Sequence, residues 1–125
     1  MALEIVHYGE EVLHQKGEAV TQFDDSLEEL FVEMVNTAID AEGIGLAAQQ
    51  IGKALMFCIV DLRGCEPDFE YTYDGAKPPI DLFMPMGIAN PVVEVIDKKE
   101  TTYEEGCLSF PEVRGDVERP DWIRC

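Results

Sequence analysis

The chain has 125 residues, 46% hydrophobic and 28% charged, a composition that suits one soluble domain around one core and excludes a disordered or fibrous segment. Nine Lys and Arg stand against 26 Asp and Glu, giving a net charge of -17. So few cations speak against a nucleic-acid surface, because phosphate backbones are held by clustered Lys and Arg.

No apolar run approaches the ~20 residues of a membrane-spanning helix, and Met1-Ala2-Leu3-Glu4 lacks the basic start and apolar stretch of a signal peptide. The four cysteines, Cys58, Cys65, Cys107 and Cys125, show no CxxC spacing and no disulfide-scaffold density. A cytoplasmic protein with reduced thiols is expected, with no membrane and no direct nucleic-acid partner. The whole of 1-125 is expected to form a single domain.

Along the chain, Leu3 to Gly9 alternates briefly and breaks at glycine, and Glu11-Val12-Leu13 fits a short helical turn. His7 and His14 lie here; two histidines seven apart without a third partner do not make a metal site. Ser26-Leu27-Glu28-Glu29 has the form of a capping box, which predicts a helix with Ser26 as its cap. Leu27, Leu30, Phe31, Met34, Ala38 and Ala41 then recur at helical spacing as one face to bury, and Gly43 is the expected stop.

Small residues follow in Gly43-Ile44-Gly45-Leu46-Ala47-Ala48-Gln49-Gln50. They admit a close approach of a ligand or another strand to the backbone, and they equally suit a packed helix-to-strand turn. Ala54 to Val60 is a continuous apolar run, predicted as a strand buried on both faces, with Cys58 a small core residue. Residues 63-86, rich in Gly, Pro and aromatics, are expected to form a loop insertion rather than a second domain. Ile88 to Ile96 is predicted as a strand with an edge or bulge at Pro91. A turn at Asp97-Lys98-Lys99 should then bring Glu100 to Glu104 back as its hairpin partner. The fold class is α+β: one amphipathic helix packed on mainly antiparallel strands.

The second chemically informative stretch is Glu104-Glu105-Gly106-Cys107-Leu108-Ser109-Phe110-Pro111, which sets one thiol at the end of a strand. A thiolate can ligate a metal or attack a carbonyl, and no histidine is placed to serve it as a base. Together, GxGLAAxQ at Gly43 to Gln50 and EGCLS at Glu105 to Ser109 match every specified position of the first two motifs of the peptide deformylases, in the same order. The chain resembles that family through its amino-terminal segment and helix and on through Pro111 and Arg114.

The resemblance implies a metal-dependent hydrolase of protein biosynthesis that removes the N-formyl group from the initiator methionine of nascent polypeptides. It implies Cys107 as a metal ligand, the metal being iron(II), with zinc or nickel able to substitute. It makes Gln50 and the Leu108 backbone N–H the donors to the formyl oxygen. Gly45 and Gly106 would offer backbone groups to an extended peptide, and Ile44 would line the methionine pocket. Glu105, at the substrate-binding loop, and Arg114 would be a supporting pair. The ribosome is a partner by family role alone.

The family's third motif, QHExDH on a later helix, does not occur in these 125 residues. It carries two further ligands and the proton-handling glutamate. The resemblance thus implies a truncated deformylase, inactive alone, whose stripe through Leu30, Phe31 and Met34 loses part of its cover and whose strand at Trp122 ends unpaired or short. Such a chain would be poorly stable, aggregate or pair with another. The alternatives are a non-catalytic shortened homologue binding peptide amino termini or a partner, and one half of a split enzyme whose second chain supplies HExxH.

Overall fold

The structure is a computed structural model describing residues 2–66 and 68–125. Met1, at the start of the chain, and Pro67, within the expected loop, lie outside the described residues. One helix, α1 (Asp25–Asp40), lies on a three-stranded antiparallel sheet of β1 (Gly45–Ala47), β2 (Phe57–Val60) and β3 (Met86–Ala89), in the order β1-β2-β3. A two-stranded pair joins β4 (Glu94–Val95) to β7 (Ile123–Arg124), and a long hairpin joins β5 (Glu100–Cys107) to β6 (Phe110–Pro120). The architecture is the α+β arrangement that the sequence predicts.

The helix starts one residue before Ser26. Asp24 is the cap: its Oδ1 accepts from the Ser26 and Leu27 N–H groups and from the Ser26 hydroxyl. These bonds, led by the Ser26 hydroxyl, hold the Asp24 carboxyl below its ordinary value. A carboxylate at a helix start also meets the positive end of the dipole, so aspartate wins over serine here. At the other end Glu42, not Gly43, takes the left-handed conformation, with φ 58°. The Glu42 N–H donates to Ile39 and the Gly43 N–H to Ala38, which is a Schellman closure.

The core joins Leu30, Met34, Val35 and Ala38 of α1 to Leu46, Ala48, Phe57, Ile59 and Val20. The expected partial loss of cover does not reach Leu30 and Met34, which are buried because the sheet supplies the opposing layer, while Phe31 is half-buried. Phe31 fits where β3 has no side chain: a Cβ on Gly87 would stand 3.0 Å from its ring. Thr37, outside the apolar pattern, is also buried; its hydroxyl donates to the Glu33 carbonyl and accepts from the Leu3 N–H. In β2 only the face carrying Phe57 and Ile59 is fully buried, and Cys58 is half-buried on the other. Burial raises the Cys58 thiol pKa, with Cys125 adding to the effect.

Two strand pairings differ from expectation. The run from Ile88 to Ile96 is two strands, because Asn90 at φ 51° followed by Pro91 ends β3. The Asn90 side chain then accepts from the Val20 N–H and donates to the Val20 carbonyl, doing what a neighbouring strand would do. The hairpin partner of β5 is therefore β6, and β4 is free to pair with β7. The strand at Trp122, expected to end unpaired or short, is short but paired: β7 has two residues, and Val95 lies opposite Ile123. The segment between β2 and β3 holds a short helical turn, Ile80–Leu82, and an aromatic group in which the Tyr73 and Phe83 rings stack at 4.7 Å.

Met34 is fully enclosed, whereas Val32 on the opposite face of α1 is half exposed. Met34→Ala should cost about 2–5 kcal/mol in denaturant unfolding. Val32→Ala should change stability by no more than about 0.5 kcal/mol.

Candidate active site

The hairpin turn and the residues after α1 face each other across a cleft of about 900 Å³. Ile44, Gly45 and Gln50 line one side. Glu105, Gly106, Cys107, Leu108 and Arg114 line the other, so all eight residues singled out in the sequence meet in one place. They lie in two segments, Ile44 to Gln50 and Glu105 to Arg114, and the fold brings them together by three devices.

The first is the turn of 3-10 helix Ala48–Ile51, which carries Gln50. Gln50 reaches back to the start of that turn, where its Oε1 accepts from the Ala47 N–H at 2.9 Å. This is the half of a capping box that a glutamine supplies. The second device is the amino-terminal segment. Its Val6 N–H donates to the Gln50 carbonyl at 2.7 Å, and its Tyr8 N–H donates to the Ser109 carbonyl at 2.6 Å. One extended strap thus ties both motifs. The third is a close approach at Gly43, where a Cβ would lie 2.6 Å from a methyl carbon of Leu108. Absence of a side chain at Gly43 lets the hairpin turn settle against the end of α1.

Inside the cleft the Gln50 Nε2 lies 3.2 Å from the Ser109 Oγ and 3.6 Å from the Cys107 Sγ. Cys107 is exposed, and Ile44 is 59% exposed, so both present their side chains to an incoming molecule. Leu108 sits in the turn between β5 and β6 and also packs against the core cluster. Ser109 is buried and was not among the residues assigned from sequence. Its place in EGCLS was the available signal, but a role for it depends on the contact with Gln50, fifty-nine positions away.

The supporting ion pair is not Glu105 with Arg114. Arg114 Nε donates to Glu104 at 2.7 Å, while Arg119 makes two hydrogen bonds to Glu105, at 2.7 and 2.9 Å. The register explains it. Gly106 lies opposite Arg114 and Glu105 opposite Gly115, so residues of like parity share a face of the hairpin. Glu104 and Arg114 occupy one face, Glu105 and Arg119 the other. Arg119 holds the Glu105 carboxyl below its ordinary value, through the hydrogen bonds first and its charge second.

Comparison with known proteins turns this geometry into a family assignment. The sequence model of polypeptide deformylases matches residues 2–125. The chain belongs to the peptide deformylase family. It is 56% identical over 126 residues to the peptide deformylase of Opitutus terrae, covering 98% of this chain and 65% of that relative. The Chlorobium phaeobacteroides peptide deformylase is 41% identical, over 99% of this chain and 60% of its own length. The crystal structure of the deformylase from Thermotoga maritima superposes with a TM-score of 0.78 at 30% identity, covering 96% of this chain and 69% of that one. The structure of the Synechococcus elongatus deformylase, a complex with actinonin, gives 0.76 at 32% identity, covering 94% and 54%. The chain thus spans 65% or less of the length of these curated relatives.

Peptide deformylases are metal-dependent hydrolases. The described residues do not fit a complete metal site: none of them form a cluster of three His, Cys, Asp or Glu able to hold an ion. A catalytic site of this type takes three protein ligands and an open position. Cys107 is one donor of the right chemistry, facing the cleft.

The Glu105 carboxyl is depressed in the folded state, so its link to Arg119 contributes stability above the ordinary carboxylate pKa, and this is lost as pH falls through the depressed value. In an NMR titration, Arg119→Leu should raise the Glu105 midpoint toward that of a free glutamate. Arg114→Leu, on the opposite face, should leave the Glu105 midpoint where it is.

Proposed function

We propose that this chain forms the substrate cleft of an enzyme that hydrolyses the N-formyl group from formyl-methionyl peptides. What supports the reading most is the meeting of both motif segments in one cleft, with the Gln50 amino group beside the Cys107 thiol. Amide hydrolysis builds negative charge on the carbonyl oxygen, and a fixed N–H donor acts where that charge develops. Gln50 donates to the formyl oxygen from its Nε2, and the Leu108 backbone N–H donates beside it. Ile44 packs against the methionine side chain, and the backbone groups of Gly45 and Gly106 pair with the extended peptide. The Glu105–Arg119 and Glu104–Arg114 pairs hold the strands that carry this loop.

Cys107 is the thiolate ligand this chain offers to the family's metal, which we take to be iron(II), with zinc or nickel as substitutes. Among the described residues no cluster of ligands surrounds Cys107, and no step through the metal is assigned to this chain. Formylated nascent peptides as substrate place the work in the cytoplasm, beside the ribosome. Among the described residues no helix is long and apolar enough to cross a membrane.

The test is formate release from a formyl-methionyl peptide by the full-length protein. Gln50→Ala should lower kcat about 10²–10³-fold, the loss typical of one such donor. Cys107→Ala should abolish bound metal in elemental analysis. Unchanged turnover in Gln50→Ala, or unchanged metal content in Cys107→Ala, would contradict the assignment.

A further inference from the structure

Ser109 is a buried polar residue in the turn of the β5–β6 hairpin, and its hydroxyl oxygen is 3.2 Å from the Gln50 Nε2. We propose that Ser109 is a positioning residue, whose hydroxyl fixes the Gln50 amide so that one N–H points into the cleft. The inference rests on the reading of Gln50 as donor to the formyl oxygen, and adds what makes that donor competent.

A glutamine amide has two faces, and a rotation of half a turn exchanges a donor for an acceptor. Here the choice is made by groups that cannot exchange roles. The Ala47 backbone N–H can only donate, so the atom 2.9 Å from it is the amide oxygen. The amino group must then lie toward Ser109 and Cys107. It has two protons. The Ser109 oxygen takes one at 3.2 Å, a proper hydrogen bond. The other meets only sulfur at 3.6 Å, a weak acceptor. When a carbonyl oxygen enters beside Cys107, that second N–H exchanges a poor partner for a good one, while the first stays in place.

Ser109 can hold the amide because it is itself held. Its carbonyl accepts from the Tyr8 N–H at 2.6 Å, and the neighbouring Phe110 ring packs against Tyr8 with centroids 4.8 Å apart. The Ala47 contact restrains the oxygen end of the amide and the Ser109 contact the nitrogen end. Without the hydroxyl, the amino group keeps its side but loses its aim, and the donor is paid for by reordering at each turnover.

Four variants of the full-length protein test this by steady-state kinetics on a formyl-methionyl peptide. Ser109→Ala should lower kcat about tenfold, the worth of one neutral hydrogen bond, with KM changed less than about twofold. Ser109→Thr keeps the hydroxyl and should stay within about threefold of the parent. The double variant with Gln50→Ala should be no slower than Gln50→Ala alone, because a residue acting through Gln50 has nothing left to position. A fall in kcat by the same factor in both backgrounds would overturn the proposal, as would parental kcat in Ser109→Ala while Gln50→Ala is impaired. Parental kcat in Gln50→Ala would instead remove the reading of Gln50 and the inference with it. If Ser109→Ala does not fold, Ser109→Cys keeps the volume, weakens the acceptor and is held to the same outcomes.

Discussion

The Gln50 amide is the group on which the arrangement of the cleft turns, because it has one orientation only. A backbone N–H fixes its oxygen, a buried hydroxyl takes one of its protons, and a thiol sulfur stands next to the other. Each contact comes from a different level of structure. The Ala47 N–H is local, three residues back in the same turn. Ser109 and Cys107 arrive from a distant hairpin, and they arrive together because a two-residue turn separates β5 from β6. The strap at Val6 and Tyr8 then closes the assembly by bonding to the carbonyls of Gln50 and Ser109.

Packing below the cleft serves the same end. The helix and the three-stranded sheet form a layer pair in which Met34 and Ile59 are wholly enclosed, and β1 leads out of that layer directly into the Gln50 turn. Leu108, at the tip of the hairpin, reaches the same cluster over the bare backbone of Gly43. The hairpin is mostly exposed along both faces, so its position depends on these tip contacts more than on burial along its length. Its ion pairs are solvent-facing and contribute alignment rather than large energies.

The candidate site residues were legible because the two motifs are contiguous and chemically unusual: a run of small residues ending in Gln50, and a lone thiol after glycine. The helix and the β2 run were legible for the ordinary reason that local periodicity reports burial. What could not be read was anything decided by pairing between distant segments. Glu105 and Arg114 look like partners in a linear string, yet the hairpin register puts them on opposite faces. Asp24 displaced Ser26 as cap because both side chains can accept and only the folded turn shows which oxygen meets the N–H groups. The expected return of Glu100 to Glu104 onto the preceding strand failed at Asn90, whose left-handed backbone before Pro91 ends β3 where the sequence suggested only an edge or bulge, although asparagine tolerates that conformation and Asn-Pro is a turn signal. Ser109 was hidden for the same reason, since its meaning lies in a hydrogen bond to a residue in another segment.

The most direct test of this account is to follow the two side-chain amide protons of Gln50 by NMR in isotope-labelled protein while a formyl-methionyl peptide is added. The account predicts two well-separated signals in the free protein, of which one moves downfield on saturation as its weak sulfur contact is replaced by a carbonyl oxygen, while the other, bonded to Ser109, stays in place. If both signals remain where they are with the peptide bound, Gln50 does not meet the formyl oxygen and the account is wrong.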